Sequence, residues 1–406
     1  MRIPLLRRLA AMATTLGLTS LGLLGAGAAP AQAAISDCPA GYFCAWKSDN
    51  GTGTMYKTNA NTATLGAWDN TFRSVVNHTS KFACLYDDPN YGQSGGVDVW
   101  DPDPAGTEWG YSHGTVSSVK FVPTSRECTL PPYPRWYATT APRGAGFGDM
   151  NADHRADVLT RDKAGRLWFL PGDGTGRMVG SGGWNGMNAL VRHGDFSGDG
   201  REDVIAREAS TGKLWLYPGT GTGGLGARKL MGSGGWNSMG RLAAYGDLSG
   251  DGRADVLAVE KSTGRLWLYP GTGTGGHGAR KLIGTGGWNG ISALVGAGDM
   301  NGDGRADLIA REASTGKLWL YPGRTGALGS RVLIGSGGWN VMDTFLGLGD
   351  VTGDGYGDLV TITKSSYVGE ACRGVGCQLV YPGRGAGGLA PRVETADDWW
   401  NLNGFF

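Results

Sequence analysis

The chain has 406 residues, of which 75 are glycine, 40% are hydrophobic and 18% are charged, and its formal net charge is +1. Glycine at this level without a strict triplet period excludes a collagen-like chain, and the hydrophobic fraction, with 15 tryptophans, favours tight turns in a folded protein over disorder. The near-neutral charge and the lack of a basic cluster interleaved with aromatic residues argue against a nucleic acid as partner.

The first residues predict a secretory signal peptide over residues 1–33. Arg2, Arg7 and Arg8 form a positive start, an apolar run covers Leu16–Leu24, and the AQA triplet at residues 31–33 fits a small-residue cleavage site. A membrane anchor is the less favoured alternative because Thr, Ser and Gly interrupt the run, and no other stretch is long and apolar enough to span a bilayer. We therefore expect a secreted, extracellular protein.

Cysteine usage agrees with export, because disulfides persist in oxidising compartments. Proximity in the sequence favours two local bridges, one between the first two cysteines and one between the last two, which leaves the middle two to pair with each other. Six cysteines allow 15 connectivities, so this pairing is a preference. A zinc site is a less favoured alternative, since no His lies at ligand spacing. The six are Cys38, Cys44, Cys84, Cys128, Cys372 and Cys377.

Residues 34–128 form a first domain built from two similar halves. Hairpin sequences of one type begin at Cys38 (CPAGYFCAWKSDNGTG) and at Ala83 (ACLYDDPNYGQSGG), and a Ser-Val segment follows each, within Asp69–Asn77 and His113–Val122. Two such halves predict a pair of Greek keys. The pattern resembles the βγ-crystallin fold, and specifically peptidase inhibitor family I36, whose known members inhibit metallopeptidases.

The first domain departs from the crystallin pattern in both halves. Gly51 replaces the second aromatic residue of the first hairpin, and Gln93 replaces the glycine of the second. Arg73 interrupts the first calcium pattern, and His113-Gly114 stands where the second pattern has two acid or amide residues. A disulfide-tied binding or spacer module is therefore an alternative to an inhibitor, because a fold alone does not imply an activity. Residues 129–146 follow as a Pro-rich linker.

Residues 147–406 are almost entirely repeat. Acidic loops begin at Asp149, Asp195, Asp247, Asp299 and Asp350, at steps of 46, 52, 52 and 51 residues. A fixed period of this size indicates a solenoid or a propeller. Each unit has four short Leu-, Ile- and Val-rich segments separated by Gly-rich turns, with no helical apolar stripe. The fold class is therefore all-β, a crystallin-like Greek-key sandwich followed by a five-bladed β-propeller; a seven-bladed ring is the rival.

The chain ends predict how the ring closes. The first acidic loop has no LIGxGGWN segment before it, whereas such a segment remains after the last unit. Aligning Val393–Asn401 with Val332–Asn340 gives Trp400 and Asn401 the places of the Trp-Asn pair. We expect the C-terminal strand to complete the first blade and cover the open edge of the ring.

The acidic loops predict calcium sites, up to five, one per blade. Oxygen-bearing side chains fall at positions 1, 3, 5 and 9 of each loop, and a hard cation relieves the repulsion among packed carboxylates. Asx turns without metal are the alternative, and His154 replaces a loop glycine in the first copy. The loops resemble the FG-GAP or VCBS repeat of integrin-like proteins, in which calcium stiffens the blade. The candidate ligands are Asp149, Asn151, Asp153, Asp157, Asp195, Ser197, Asp199, Asp203, Asp247, Ser249, Asp251, Asp255, Asp299, Asn301, Asp303, Asp307, Asp350, Thr352, Asp354 and Asp358.

The GGWN segments predict glycan contacts. A sugar ring stacks on an indole face, and Asn amides and glycine N–H groups bond hydroxyl and acetamido groups. The segments resemble the repeats of tachylectin-2-like lectins, five-bladed propellers that bind N-acetylated sugars. In the alternative, these tryptophans wedge neighbouring blades apart. A second series in LWLYPG segments (Trp168, Trp215, Trp267, Trp319) is interpreted as core. The candidate glycan residues are Trp184, Asn185, Trp236, Asn237, Trp288, Asn289, Trp339, Asn340, Trp400 and Asn401.

The sequence as a whole predicts a secreted binding protein and no enzyme. No phosphate loop, HExxH or GxSxG motif is present, and acidic residues copied in five places indicate repeated binding rather than one active site. The leading hypothesis is a calcium-dependent multivalent lectin for N-acetylated or cell-wall glycans. The alternatives are a metallopeptidase inhibitor with the propeller as targeting module, and a protein-interaction subunit of a larger secreted assembly.

Overall fold

The computed structural model describes residues 34–139 and 148–406. The predicted signal peptide, residues 140–146 of the predicted linker and residue 147 lie outside these ranges. Within the described residues the regular structure is β-strand, interrupted by short 3-10 turns, and no helix there has the length and apolarity to cross a membrane. The 3-10 turns are Ile35–Asp37, Gly66–Trp68, Pro89–Tyr91, Ser125–Cys128, Trp184–Gly186, Trp236–Ser238, Trp288–Gly290 and Trp339–Val341.

The first domain is a sandwich of two antiparallel sheets. A four-stranded sheet has the order β2-β1-β3-β6 and a three-stranded sheet the order β5-β4-β7. Each half lends backbone to the other's sheet, since β6 pairs with β3 and Thr62 bridges to Val119. This exchange is the crystallin-like Greek-key arrangement that the two halves of the sequence predict. The strands are β1 (Phe43–Trp46), β2 (Met55–Thr58), β3 (Ser74–Asn77), β4 (Phe82–Tyr86), β5 (Val97–Trp100), β6 (Trp109–Tyr111) and β7 (Ser118–Val122).

The sandwich core is aromatic and aliphatic, and two disulfides flank it. Phe43, Phe72 and Leu85 are fully or almost fully buried between the two sheets. Cys38 pairs with Cys44 and Cys84 with Cys128, while Cys372–Cys377 forms the third bridge, in the propeller. These are the three pairs that the sequence spacing favours. A small domain gains stability from such bridges because they restrict the unfolded chain.

The second domain consists of five four-stranded antiparallel sheets, which are the five blades of the predicted propeller. A two-stranded hairpin, β22 (Gly323–Arg324) and β23 (Ala327–Leu328), extends blade 4. Blade 1 contains β8 (Val158–Asp162), β9 (Leu167–Leu170), β10 (Arg177–Gly180) and β29 (Leu402–Phe405); blade 2 contains β11 (Met187–Arg192), β12 (Val204–Glu208), β13 (Leu214–Tyr217) and β14 (Lys229–Gly232); blade 3 contains β15 (Met239–Tyr245), β16 (Asp255–Glu260), β17 (Leu266–Tyr269) and β18 (Lys281–Gly284); blade 4 contains β19 (Ile291–Gly298), β20 (Asp307–Glu312), β21 (Leu318–Tyr321) and β24 (Val332–Gly335); blade 5 contains β25 (Met342–Gly349), β26 (Asp358–Thr363), β27 (Gln378–Tyr381) and β28 (Val393–Ala396).

The innermost strands of the blades surround a narrow central cavity. Inner strands of successive blades contact each other from blade 2 through blade 5 to blade 1, and the cavity of about 100 Å³ is bounded by residues from all five inner strands. Its walls are largely apolar, from Leu190, Leu294 and Phe345, with Arg192 and His193 as polar members. The cavity is too small for a sugar ring and its substituents, since typical ligand sites have about 300–1,000 Å³.

Each blade is buried on both faces because it packs between two neighbours. In β16, Val256 faces the core shared with blade 2, while the next residue, Leu257, faces the core shared with blade 4. Alternate side chains of a strand point to opposite faces, so the middle strands carry continuous apolar runs.

The C-terminal strand closes the ring, as predicted. Strand β29 pairs with β8, with Phe405 opposite Thr160, and so provides the innermost strand of blade 1. The ring therefore joins the two ends of the repeat region and leaves no open edge at the junction of blades 5 and 1.

Candidate binding pockets and metal loops

Three pockets lie between neighbouring blades and share a common lining. They have cavity volumes of about 340, 500 and 640 Å³ and lie at the junctions of blades 2 and 3, blades 3 and 4, and blades 4 and 5. Each contains one Trp of a GGWN segment, one Tyr of the following blade and one Arg of that same blade. These sets are Trp236, Tyr269 and Arg280; Trp288, Tyr321 and Arg331; and Trp339, Tyr381 and Arg392.

The tryptophans of the GGWN segments act as wedges between blades. Trp184, Trp236, Trp288 and Trp339 are only 5–9% exposed. Each ring packs against the Tyr of the following blade, with centroid separations of 4.5–4.9 Å. The indole faces are therefore not open stacking platforms, and a ligand in a pocket meets the small exposed part of each ring. This burial matches the alternative interpretation of the sequence, in which the rings separate neighbouring blades.

Glycines make each wedge geometrically possible. Gly287 has a φ of +83°, which turns the chain so that the Trp288 N–H donates to the Gly264 carbonyl over 3.0 Å. A Cβ on Gly284 would lie 2.2 Å from Trp288 Nε1, so a larger residue there would displace the ring. The repeated glycines thus follow from the tight contact of the Trp with its own strand.

The asparagines of the GGWN segments hold the turn in place. Each amide donates from Nδ2 to a backbone carbonyl over 2.8–3.0 Å, and the acceptors are the carbonyl oxygens of Lys163, Ala209, Lys261 and Ala313. The donors are Asn185, Asn237, Asn289 and Asn340. None of these four residues lines the three pockets described above. Their amides are used structurally, within the protein.

The arginine and tyrosine of each pocket were not predicted from the sequence. The Arg280 and Arg331 guanidinium groups lie 4.0 Å from the centroids of the Trp267 and Trp319 rings, and Arg228 covers Trp215 in the same way. Trp215, Trp267 and Trp319 of the second series are therefore half-buried at the edge of the core, with one ring face under an arginine. A signal was present in the sequence, because an Arg stands directly before the outer strand of blades 2 to 5, at Arg228, Arg280, Arg331 and Arg392.

The fifth copy of the wedge differs from its prediction by one residue. The Trp399 N–H donates to the Gly376 carbonyl, the bond that each of the other four tryptophans makes with its glycine, and Trp399 is 1% exposed. Trp400 instead lies half-buried under the Arg126 guanidinium, and Asn401 donates to Ser125 Oγ. The strand register agrees with the alignment, but the turn lacks its glycine pair and is one residue shorter, so the preceding indole enters the wedge position.

The acidic loops share one backbone arrangement. In the second loop, Asp195 accepts N–H bonds from Gly198, Asp199 and Gly200 at 2.6–3.1 Å. Asp203, at the ninth position, is fully buried and accepts from Phe196, Ser197 and Gly219 at 2.8–3.0 Å. The first carboxylate therefore shapes the loop, and the ninth fastens it to the body of the blade.

The donor set of the second loop fits a hard divalent cation. Asp195, Asp199 and Asp203 each place a carboxylate oxygen within 4.8 Å of the other two. Each ionised carboxylate has about four acceptor positions, so the N–H bonds leave capacity for coordination. Burial together with the carboxylates of Asp303 and Asp299 raises the pKa of Asp307 to about 6, although N–H groups oppose this shift. A cation at such a loop would offset the cost of the buried charge.

The first loop is the least regular of the five. Ala152 and His154 adopt φ values of +62° and +65° where the other loops have glycine. Burial raises the pKa of Asp157 to about 8, and its Oδ1 has no hydrogen-bond partner. The sequence departure at His154 thus coincides with a strained loop.

The acidic loops also connect neighbouring blades. The carbonyl oxygen after the first Asp accepts an N–H from the Gly-rich loop of the next blade, as in Gly275 to Phe196 at 2.8 Å and Gly387 to Met300 at 3.1 Å. The loop containing Gly275 also presents His277, which lines the pocket beside Trp236. The acidic loops and the pockets therefore share a structural link.

Comparison with known proteins supports this architecture. Residues 31–99 match the peptidase inhibitor family I36, and residues 195–258, 247–310 and 299–361 each match the FG-GAP-like repeat. No curated protein matches the chain.

Solved structures with weak similarity include a lectin, a propeller and a protein complex. One, of an Agrocybe aegerita lectin, describes recognition of non-reducing terminal N-acetylglucosamine, with 15% identity, a TM-score of 0.38 and coverage of 89% of this chain and 91% of that chain. The Dos1 propeller has 10% identity, a TM-score of 0.30 and coverage of 64% and 59%. BBS1N in complex with ARL6DN has 11% identity, a TM-score of 0.31 and coverage of 83% and 89%. The chain therefore contains a segment similar to peptidase inhibitor family I36, followed by a five-bladed propeller in which three stretches match the FG-GAP-like repeat.

Proposed function

We propose that the propeller is a calcium-dependent, multivalent glycan-binding module, with one sugar bound per open blade junction. The observation that carries this proposal is the repeated Trp, Tyr and Arg lining of the inter-blade pockets. Volumes of about 340 to 640 Å³ suit a sugar unit.

The pocket chemistry supports a hydroxyl-rich ligand with an amide substituent. In the pocket beside Trp236, the Gly232–Gly235 backbone and Arg280 offer donors and Ser238 Oγ offers an acceptor, while the edges of Trp236 and Tyr269 offer apolar contact. The pocket beside Trp288 adds Glu312 as an acceptor. Sugars combine hydroxyl groups with apolar C–H faces, and an acetamido group adds one donor and one acceptor.

Calcium would act on this module structurally. When bound, the ion supplies charge neutralisation for the clustered carboxylates. Asp195, Asp199 and Asp203 would hold it in the second loop, and the equivalent residues in the others. Because the Phe196 carbonyl bonds the loop that carries His277, a stiffer acidic loop would stabilise one wall of the neighbouring pocket.

Repetition compensates for weak single sites. Shallow sugar pockets bind weakly, and simultaneous engagement on a polysaccharide can raise overall binding by about 10²–10⁴-fold. The ring geometry supports such engagement because the pockets recur at successive blade junctions.

A glycan array with the full chain tests the proposal. We expect binding to N-acetylated or cell-wall glycans in millimolar calcium and a loss of binding in a chelator, with calcium re-addition as the control. No binding to any glycan in calcium would refute the lectin assignment. Equal binding with and without the chelator would refute the calcium dependence alone.

A second candidate function belongs to the first domain. Its match to peptidase inhibitor family I36 favours inhibition of a secreted metallopeptidase, with the propeller as targeting module. A panel of metallopeptidases assayed with the full chain tests this candidate. Inhibition that persists with free sugar in excess would assign the activity to the first domain. The absence of inhibition at micromolar concentrations would refute it.

A further inference from the structure

One of the five blade junctions lacks the features that define a pocket. At the junction of blades 5 and 1, the strand register places Leu170 where the other junctions have Tyr and Gly176 where they have Arg. The wedge there is Trp399, which contacts Trp136 at 6.1 Å between centroids instead of a tyrosine. The Tyr and Arg of the set are therefore replaced at this junction, and the Trp that remains packs against another tryptophan.

Residues 131–139, which we call the docking segment, fill that space. The Tyr133 ring stacks on Trp168 at 5.3 Å, the position that arginine takes on the equivalent tryptophans. A Cβ on Gly176 would lie 2.6 Å from the Tyr133 ring, so an arginine at that position would clash with the docking segment. Trp136 is 1% exposed and packs with Leu170 and Trp399 in one core.

The docking segment also makes the backbone contacts that blade 1 lacks. The Ala138 N–H donates to the Gly172 carbonyl over 3.0 Å, one residue beyond the proline whose equivalent in blade 2, Pro218, accepts from Gly226. Thr139 Oγ1 donates to the Val351 carbonyl over 3.0 Å, where the other acidic loops receive an N–H from a Gly-rich loop. The segment thus substitutes for the loop that is shorter in blade 1.

A buried arginine fastens the first domain to this junction. Arg126 is 1% exposed, and its guanidinium donates to the carbonyl oxygens of Pro131, Tyr133 and Asp398. It also lies 3.5 Å from the Asp398 carboxylate, which accepts the Arg135 N–H over 3.0 Å. A second ion pair joins Arg166 of blade 1 to Glu127 over 2.7 Å.

We propose that the docking segment is a permanent internal occupant of the fifth junction, so that the propeller offers four ligand sites and uses the fifth to hold the inhibitor-type domain in a fixed position. The number of sites rests on the proposed glycan function, whereas the docking does not. The four remaining junctions carry Trp184, Trp236, Trp288 and Trp339, each packed against a Tyr of the next blade. That next blade also has an Arg directly before its outer strand, at Arg228, Arg280, Arg331 or Arg392.

Hydrogen exchange of the full chain, measured by mass spectrometry, tests the docking without any sugar. We expect peptides from the docking segment to be protected in the unmodified chain and to exchange at least tenfold faster in Asp398→Ala. The matched control is Asp397→Ala, since Asp397 is exposed and adjacent. Asp398→Asn, which keeps an acceptor for the Arg135 N–H, serves if the alanine variant does not fold. The exchange rate of the docking segment in Asp398→Asn should lie between the rates in the unmodified chain and in Asp398→Ala. An unprotected segment in the unmodified chain, or unchanged exchange in Asp398→Ala and Asp398→Asn, would overturn the docking.

Binding stoichiometry tests the number of sites. Titration of the full chain in calcium with N,N′-diacetylchitobiose should saturate at four sugars per chain in native mass spectrometry. Saturation at five sugars per chain would overturn the proposal that the docking segment occupies the fifth junction. If no sugar binds, the proposed glycan function fails, and the exchange measurement alone decides the docking.

Discussion

Replacement of Trp236 by alanine separates the two roles that a GGWN tryptophan can have. Trp236 is 5% exposed and lies in the core shared by blades 2 and 3, with Ile205, Met239 and Val256. Its ring also packs 4.6 Å from Tyr269. A wedge between blades contributes mainly to stability, whereas an open stacking platform contributes mainly to binding.

The size of the effect follows from burial. Removal of a fully buried Trp side chain costs about 3–5 kcal/mol. In a domain of this size, about 2–4 °C of melting temperature is lost per kcal/mol, so the propeller transition of Trp236→Ala should fall by roughly 6–20 °C. The matched control is Trp267→Ala, because Trp267 is half-buried, with one face covered by Arg280, and it should cost less than half as much.

Differential scanning calorimetry in calcium measures both variants, and sugar titration well below the transition measures the sites that remain. We expect Trp236→Ala to lose one site of four and to melt earlier than Trp267→Ala. A loss of binding with a melting temperature within 2 °C of the unmodified chain would refute the wedge, because a residue of that burial cannot be removed from a blade junction without cost.

Three further predictions test the pockets, the acidic loops and the disulfides. Arg280→Ala should change stability by no more than about 0.5 kcal/mol, since Arg280 is exposed, while isothermal titration shows one weakened sugar site; full affinity at all sites would exclude its role. Relative to the chelator-treated chain, calcium at 100 times its dissociation constant should stabilise the folded state by about 2.7 kcal/mol per site in a thermal melt, and the total gain should be smaller in Asp303→Asn. A melting temperature that calcium does not change would exclude calcium binding. Loop entropy predicts losses of about 4 kcal/mol without Cys84–Cys128 and about 2 kcal/mol without Cys372–Cys377, because the bridges span 44 and 5 residues; calorimetry that reverses this order would contradict the entropic account.

The sequence alone determined the repeat and hence the architecture. A period of about fifty residues, Gly-rich turns and short apolar segments leave few arrangements other than stacked four-stranded sheets, because no unit can bury its apolar faces alone. The closing strand was also predictable, since the sequence shows that the first unit lacks a LIGxGGWN segment and that such a segment follows the last unit. The two similar halves of residues 34–128 likewise predict a pair of Greek keys.

Only the tertiary structure decided what the repeated side chains do. Whether Trp288 faces solvent or a neighbouring blade depends on the packing between blades. The sequence of a single repeat carries no pattern that predicts this packing. The pocket arginines come from the following blade, so the sequence separates Arg331 from Trp288 by 43 residues that the fold brings together. The occupation of the fifth junction could not be predicted for the same reason. Tyr133 and Trp136 come from outside the repeat region, and their partners Trp168 and Trp399 lie near opposite ends of that region in the sequence. Local patterns fix which strands form, whereas contacts between distant segments select which side chains remain accessible to a ligand.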